Sequence, residues 1–356
     1  MDHPADNMQM RQIWLNQMRK ELRLSESDDL VTELEPGIRL DPALTASEIN
    51  HRLETTWPQQ PWMPGQQVEV GPDLGLAQLQ VRTALRGGAQ CLWLVLHRQM
   101  DRSHYQDLLH GVQLELITLL VEPAASEFAL ASWRELDQFL SLASSLPVEG
   151  GYFFPESEAW QHLDWDDLSL RYPNWYWRKI RPETVPSFSD RLIGILSHTQ
   201  RFLSSLSGIT SSSQDTWLSR IAVEWPGDNR LLTHLAATRA LHILWQNLYL
   251  SDAGKPPVLL GWIGGDSYTK EANTNLIRAA AMATTLSISG VHSIYIQPAD
   301  QFDQINHQRL ALNILQLLQL ESHLQPGEDP VSGSYVLDDL TRQFAEKAWN
   351  QWRLMD

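Results

Sequence analysis

The chain is short of basic residues and nearly without cysteine. Its 356 residues include 27 lysines and arginines against 43 aspartates and glutamates, a formal net charge of -16. Such an acidic surface disfavours contact with nucleic-acid phosphates, so we expect no nucleic-acid partner. The one cysteine, Cys91, cannot form an intrachain disulfide and lies in the apolar run Cys91-Leu92-Trp93-Leu94-Val95-Leu96. A thiol in such a run behaves as a small hydrophobe, and we expect a reducing compartment.

Long apolar runs and the common catalytic motifs are also missing. No stretch reaches the roughly 18 apolar residues that a membrane span needs, and residues 1–23 mix charged with apolar side chains, unlike a signal peptide. The sequence therefore predicts a cytoplasmic protein without a membrane partner. It contains no G-x-G-x-x-G after the first strand, no P-loop, no H-E-x-x-H and no G-x-S-x-G. We accordingly predict no catalytic and no metal-binding residue in this chain.

What is present is a regular alternation of strand and helix patterns from residue 66 onward. Seven or eight such units follow one another without an antiparallel interruption, the rhythm of a parallel sheet. This favours an α/β fold of the closed (β/α)8 TIM-barrel type over an open, doubly wound sheet, which stays the alternative. We expect residues 65–356 to form the barrel and residues 1–64 an N-terminal arm and extension.

Two apolar segments are candidates for a partner interface. Residues 10–22 place apolar side chains at intervals of four, as in an amphipathic helix that must bury one face on a partner or on its own barrel. Residues 160–181 form a tryptophan-rich segment of unassigned structure, which could anchor a partner or pack on the barrel. The interface candidates from both segments are Ile13, Trp14, Met18, Leu22, Trp175 and Trp177.

Four segments of the second half resemble motifs of the methylmalonyl-CoA mutase family, in the family's order. Residues 235–245, LAATRALHILW, are similar to the family's barrel helix IAKLRAARLLW. Residues 267–278 are similar to SLT…NN[IV][VI]R, and residues 291–300 to TQSLHTNxFD. Residues 329–336, DPVSGSYV, resemble DPWGGSYYVE most specifically. The resemblance covers residues 218–352 well, and residues 32–42 and 66–96 more loosely, as in the family's small, non-catalytic subunits.

The resemblance implies a barrel that encloses a CoA thioester, with a separate domain that presents cobalamin for radical chemistry. Here the family's RTHSQTSG becomes residues 258–265, VLLGWIGG, and its helix lysine becomes Ala237. A substrate carboxylate would thereby lose its charged partners. There is no D-x-H-x-x-G cobalamin motif, so we expect the cobalamin-binding domain to be absent. No cofactor is then bound by this chain, and adenosylcobalamin is expected in a partner subunit.

The ends of three strands supply the candidates for a degenerate pocket. Residues 261–266 follow a strand and precede a helix, where backbone N–H groups could hold the phosphate of a CoA arm. They could equally form a tight βα turn, with Asp266 or Ser267 as the helix cap. The pocket candidates are Trp225, Asp228, Asn229, Trp262, Gly264, Gly265, Asp266 and Gln297.

Three hypotheses about function follow from these observations. The first is a non-catalytic, small-subunit-like barrel that forms a heterodimer with a catalytic large subunit of a mutase and stabilises it. The second is an independent acyl-CoA-binding protein or enzyme that uses the altered pocket. The third is a free-standing scaffold for another partner. An open, polar-lined barrel centre would favour the second, and exposed apolar patches the first or third.

Overall fold

The computed structural model describes residues 4–25, 30–45, 53, 57–58, 60–143, 146–155, 163–183, 185–206, 214–249, 254–298 and 304–355. A helix, α1 (Pro4–Leu22), comes first, as predicted for residues 10–22. An antiparallel hairpin follows, formed by β1 (Thr32–Glu35) and β2 (Ile38–Leu40) around the turn glycine Gly37. None of the described helices is long and apolar enough to cross a membrane.

The main sheet has nine parallel strands among the described residues. They are β3 (Met63–Val70), β4 (Cys91–Leu96), β5 (Thr118–Pro123), β6 (Glu149–Tyr152), β7 (Trp175–Tyr176), β8 (Arg178–Ile180), β9 (Ile221–Pro226), β10 (Val258–Ile263) and β11 (Ser293–Ile296). Their order in the sheet is β7-β6-β5-β4-β3-β11-β10-β9-β8. Helices on the outside connect most strands to the next one in the chain, as parallel connections require.

The sheet closes on itself because β7 and β8 are two halves of one strand. Gly150 of β6 pairs with Trp175 on one side, and Ile221 of β9 pairs with Arg178 on the other. Trp177 lies between the halves, and its backbone N–H donates to the carbonyl of Arg220 at 2.9 Å. Counted this way, the barrel has eight strands, and the predicted (β/α)8 architecture is confirmed.

The strand residues alternate between the barrel axis and the surrounding helices. Those that face the axis form a small inner cluster of buried residues, and those that face outward join the larger core between sheet and helices. Burial on both faces explains why the strands read as nearly continuous apolar runs. The helices are α2 (Leu74–Arg86), α3 (Arg102–Leu108), α4 (Ala129–Ala143), α5 (Trp165–Arg171), α6 (Phe188–Ser205), α7 (Gln214–Leu218), α8 (Leu231–Gln246), α9 (Ala272–Ser287), α10 (Gln304–Gln316) and α11 (Tyr335–Arg353).

A sealed ionic cluster joins α8 to α11. Arg239, on α8, is 2% exposed, and its Nε lies 2.8 Å from Asp329 Oδ2. Its Nη1 lies 2.8 Å from Asp338 Oδ1, and Asp338 is fully buried on α11. We call Arg239, Asp329 and Asp338 the helix-pair cluster. Because Asp329 begins the DPVSGSYV segment, this motif fixes the loop that leads into the last helix.

The hairpin is tied to the barrel by a buried carboxylate. Glu35 accepts hydrogen bonds from the backbone N–H of Phe188 at 2.7 Å and of Ser189 at 3.3 Å, at the start of α6. A negative charge at this position satisfies free backbone donors and is stabilised by the helix dipole. On the other side of the hairpin, Gln343 of α11 exchanges hydrogen bonds with the backbone of Arg39.

The tryptophan-rich segment corrects one expectation. Trp175 and Trp177 are 1% and 0% exposed, and both pack edge-on or tilted against Trp133 and Tyr172 in the core outside the barrel. The prediction that these two tryptophans face a partner is therefore wrong for this chain. The physical reason is strand alternation, which directs both indoles toward the helices while Tyr176 faces the axis. Trp160 lies outside the described residues.

Candidate site at the ends of the barrel

The centre of the barrel is filled by aromatic side chains. The Trp93 ring lies 5.2 Å from Tyr295, 5.8 Å from Trp262 and 6.3 Å from Phe153, all in edge-to-face geometry. The Tyr295 hydroxyl and the Cys91 thiol are 2.7 Å apart, and burial raises the pKa of Cys91 to about 12. The thiol is accordingly protonated, and the layer behaves as packed core.

A second buried ionic cluster covers this aromatic layer toward the carboxyl ends of the strands. Lys179 Nζ lies 2.7 Å from Glu122 Oε2 and 3.0 Å from Glu224 Oε2, and 4.3 Å from the centre of the Trp93 ring. Arg181 Nε lies 2.8 Å from the other oxygen of Glu224. We call Lys179, Glu122, Glu224 and Arg181 the barrel-mouth cluster. It occupies the end of the axis where barrel enzymes place their reacting groups.

Next to this cluster is a cavity of about 450 Å³, the carboxyl-terminal cavity. It lies at the ends of β9 and β10, and Trp262 separates it from the aromatic centre. The lining residues are Arg181, Pro182, Glu183, Arg191, Glu224, Pro226, Gly227, Asp228, Trp262, Gly264, Gly265 and Ser267.

Four of the eight predicted pocket residues, Asp228, Trp262, Gly264 and Gly265, line this cavity together. Gln297 lies beside it, and its Oε1 accepts a hydrogen bond from the backbone N–H of Gly265 at 2.8 Å.

The Gly-Gly pair at this point is required by space and by backbone conformation. A Cβ at position 264 would lie 2.4 Å from Gln297 Oε1, and Gly265 has a φ of +53°. The segment is thus a tight turn between β10 and a short 3-10 helix, Gly265–Ser267.

Two predicted pocket residues, Trp225 and Asn229, are not brought to the cavity lining. Trp225 is fully buried on the outer face of β9, where its Nε1 donates to Thr238 Oγ1 at 2.9 Å. Asn229 is exposed, and its backbone carbonyl accepts from Leu231. Trp225 therefore packs against α8, and Asn229 belongs to the loop before it. The backbone of Asp266 lies in the 3-10 helix, and the structure does not describe its side chain.

The charged residues of the carboxyl-terminal cavity differ in whether they are paired. Asp228 accepts from Arg230 Nε at 3.0 Å and Nη2 at 2.8 Å; burial opposes its ionisation, but these bonds hold its pKa below the usual value. Arg191 is only 9% exposed, and its Nε donates to the carbonyl of Val185. Its Nη1 is buried without a hydrogen-bond partner among the described residues. Burial lowers the pKa of Arg191, partly offset by Asp228.

The opposite end of the barrel holds a larger cavity, of about 770 Å³, the amino-terminal cavity. Its lining includes Cys91, Thr118, Val258 and His292, at or just before the starts of the strands. Burial lowers the pKa of His292 to about 4, so this imidazole is neutral near pH 7. The two cavities share no described lining residue, and the aromatic centre lies between them.

The lysine and arginine residues of the barrel-mouth cluster and the carboxyl-terminal cavity were not predicted from the sequence. A usable signal is a charge inside an apolar strand: Glu224 interrupts the run Ile221-Ala222-Val223-Glu224-Trp225, and Glu122 follows Leu119-Leu120-Val121. Charges are rarely buried without partners, so two such glutamates predict a cation between them. Among the described residues, no group of three or more His, Cys, Asp or Glu side chains is placed to hold a metal ion.

Residues 210–356 match the family model of methylmalonyl-CoA mutase. The chain is 29% identical over 123 residues to a methylmalonyl-CoA mutase of Cereibacter sphaeroides, which covers 32% of this chain and 17% of that protein. It is 36% identical over 83 residues to a methylmalonyl-CoA mutase small subunit of Porphyromonas gingivalis, covering 22% of this chain and 13% of the relative. The resemblance inferred from the motifs is thus confirmed, over a minor share of either relative's length.

Solved structures show a weaker likeness. Dihydropteroate synthase of Burkholderia cenocepacia, complexed with 7,8-dihydropteroate, has a TM-score of 0.43 at 10% identity, covering 76% of this chain and 99% of that one. The enzyme of Xanthomonas albilineans has a TM-score of 0.41 at 13% identity, covering 73% and 94%. A likeness of this size carries no argument about activity.

Proposed function

We propose, from the resemblance of residues 210–356 to methylmalonyl-CoA mutases, that this chain is a small-subunit-like component of such an enzyme. In this proposal it is non-catalytic, pairs with a catalytic large subunit and stabilises it. Adenosylcobalamin and the acyl-CoA substrate are then bound by the partner. One observation carries the proposal: the axis of the barrel is occupied by the chain's own Trp93, Trp262 and Tyr295, with Lys179 and its carboxylates above them.

The filled axis bears directly on the choice between a catalytic and a stabilising role. A thioester threaded through the barrel would have to displace a tryptophan and a paired lysine, both at most 6% exposed. Displacement of large buried side chains and of a paired charge each costs several kcal/mol, on the order of 3–5. A substrate would have to offset that cost before any reaction began.

The first helix supplies a candidate surface for the partner. Ile13, Trp14 and Leu22 are 57%, 40% and 54% exposed on α1, and Met18 is half-buried. The helix is held to the chain through Arg11, whose Nη2 lies 2.5 Å from Asp41 and whose Nε donates to the carbonyl of Ala43. A helix with large apolar side chains in water gains stability when a partner covers them.

The test is capture of the partner from the native cell extract by the tagged full chain, followed by a cobalamin-dependent mutase assay. We expect a stoichiometric cobalamin-binding protein and activity in the complex. Trp14→Asp should reduce recovery of that partner at least tenfold, because interface tryptophans carry much of the binding energy. Leu170→Asp, at an exposed leucine of α5, is the matched control. Recovery of a partner without cobalamin would instead favour a scaffold.

A second candidate function is an independent acyl-CoA-binding protein or enzyme, which the two cavities favour. Titration of the isolated chain with methylmalonyl-CoA and acetyl-CoA in a calorimeter distinguishes it. Binding of either ester by a solitary chain much more tightly than acetate or inorganic phosphate would support this candidate and overturn the small-subunit proposal. We expect neither ester to bind more tightly than these simple anions, because the filled axis separates the two cavities.

A further inference from the structure

We infer that the carboxyl-terminal cavity is a binding site for a small oxyanion, a carboxylate or a phosphate group, held by the guanidinium groups of Arg191 and Arg181. This inference does not depend on the proposed pairing with a large subunit. It rests on which charges at the cavity are already neutralised and which are not.

The carboxylates around the cavity are already engaged by other cations. Glu224 is held by Lys179 and Arg181, and Asp228 by both the Nε and Nη2 of Arg230. Arg230 also approaches Glu35 at 4.0 Å. Glu183 lines the cavity as well, and like Glu224, which already holds Arg181, it competes with an added anion for the guanidinium groups.

Arg191 differs from these groups. No ion pair of the described residues includes it, and its fixed contacts are the carbonyl of Val185 at 2.8 Å and the Phe188 ring at 4.8 Å. A buried guanidinium with an unpartnered Nη1 is costly, since removing a charged donor from water without a partner is unfavourable. Because Arg191 lines the cavity, an oxyanion bound there would balance its charge.

Arg181 adds a second, accessible donor group on the same cavity. Its Nε is bonded to Glu224, while the side chain is 61% exposed. Two guanidinium groups that line the same cavity suit a planar carboxylate or a tetrahedral phosphate, both of which accept several N–H donors. The start of α6 does not contribute, because Glu35 already caps it.

The probes are inorganic phosphate and acetate, titrated into the full chain at low chloride in a calorimeter, with phosphate also followed by phosphorus NMR line width. We expect saturable binding of one or both anions. Stronger binding of phosphate would indicate a phosphate ester as the ligand, and stronger binding of acetate a carboxylate. Binding of neither by the folded wild-type chain would overturn the inference.

Three variants assign the binding to the cavity. Arg191→Gln should weaken the preferred anion about tenfold or more, the effect of one lost charged hydrogen bond. Arg181→Gln should weaken it less, and because Arg181 is exposed this variant tests the site even if Arg191→Gln unfolds. Arg201→Gln, on the exposed side of α6, should leave it unchanged. Undiminished binding in Arg181→Gln, together with undiminished binding in folded Arg191→Gln, would overturn the inference.

Discussion

The two buried ionic clusters of this molecule have the same chemistry and very different surroundings. In the helix-pair cluster, the side chains of Arg239, Asp329 and Asp338 are 2%, 8% and 0% exposed. In the barrel-mouth cluster, Lys179 and Glu224 are 6% exposed, but Glu122 is 25% and Arg181 is 61% exposed. The first lies wholly within the residues that match the mutase family model; of the second, only Glu224 does.

The difference in exposure suggests a different role for each cluster: the helix-pair cluster holds two helices together, and the barrel-mouth cluster fills the mouth of the barrel. The helix-pair cluster joins α8 to α11 and is almost wholly shielded from solvent. The barrel-mouth cluster stands where substrate would lie in a barrel enzyme and adjoins the carboxyl-terminal cavity. The sealed cluster thus lies in the segment that resembles the mutase family, and the mouth of the barrel is occupied by the chain's own charges.

The largest effect should follow from breaking the sealed cluster. Arg239→Met leaves two buried carboxylates without their cation, which costs roughly 3–5 kcal/mol of unfolding free energy. Urea denaturation at pH 7 measures this cost. The triple variant Arg239→Met, Asp329→Asn, Asp338→Asn removes the stranded charges and should recover part of the loss. If Arg239→Met is as stable as wild type, the helix-pair cluster does not hold α8 to α11.

Breaking the partly open cluster should cost less. Lys179→Met leaves Glu224 with Arg181 and lets Glu122 turn toward water, so we expect a loss of about 1–3 kcal/mol in the same urea experiment. Lys179→Arg, which keeps the charge, is the matched control. A loss as large as that of Arg239→Met would show that the two clusters are equally sealed, contrary to their exposures.

A neutral buried histidine, His234, extends the comparison to pH. His234 is fully buried between Phe188 and Trp225, and burial lowers its pKa to about 4. Among nearby charges, Asp228 favours its protonation, while Arg191 and Arg230 oppose it. Because the unfolded chain binds this proton near pH 6.5 and the folded chain does not, the stabilisation is complete above pH 6.5 and is lost as the pH falls toward 4.

From pH 7 to pH 5 this histidine should account for a loss of about 2 kcal/mol. The measurement is the difference in urea-unfolding free energy between these two pH values, for wild type and for His234→Gln. The variant should lose about 2 kcal/mol less than wild type over this interval, whatever its absolute stability. His110→Gln, at an exposed position, is the control and should not alter the difference. An unchanged pH dependence in His234→Gln would mean that His234 protonates in the folded chain as it does in the unfolded one.

The fold was predictable because it depends on local patterns that repeat. Helix α2 illustrates this, since in the structure Asp73 caps its start and the pair Gly87-Gly88 follows its end. The strand that closes the barrel was not predicted, because its two halves are only two and three residues long and meet at Trp177. The alternation of Trp175, Tyr176 and Trp177 contains the information, but the prolines and aspartates around it conceal the strand.

The position of the candidate site was predictable from the sequence, but its buried arginine was not. The turn at Gly264 and Gly265 follows from residue type, and the parallel sheet brings it to the same end as Asp228. Arg191 could not be found this way, since it lies on a helix that reads as ordinary amphipathic surface. Its burial depends on Phe188 and on the hairpin residue Glu35, which is 156 positions away in the chain and meets α6 only after folding.

The smallest effect should come from an exposed ionic group, which sets the lower limit of the comparison. Arg171 is 40% exposed and pairs with Asp137 and, at 2.8 Å, with Asp167 on α5. Arg171→Gln should cost about 0–1 kcal/mol, because water already solvates these charges and salt screens them. Repeating the urea measurement in 0.5 M and 0.05 M sodium chloride, where the Debye length is about 4 Å and about 14 Å, checks the cause. A loss that exceeds 2 kcal/mol and persists at high salt would mean that side-chain exposure does not determine how much each of the three ionic groups contributes to stability.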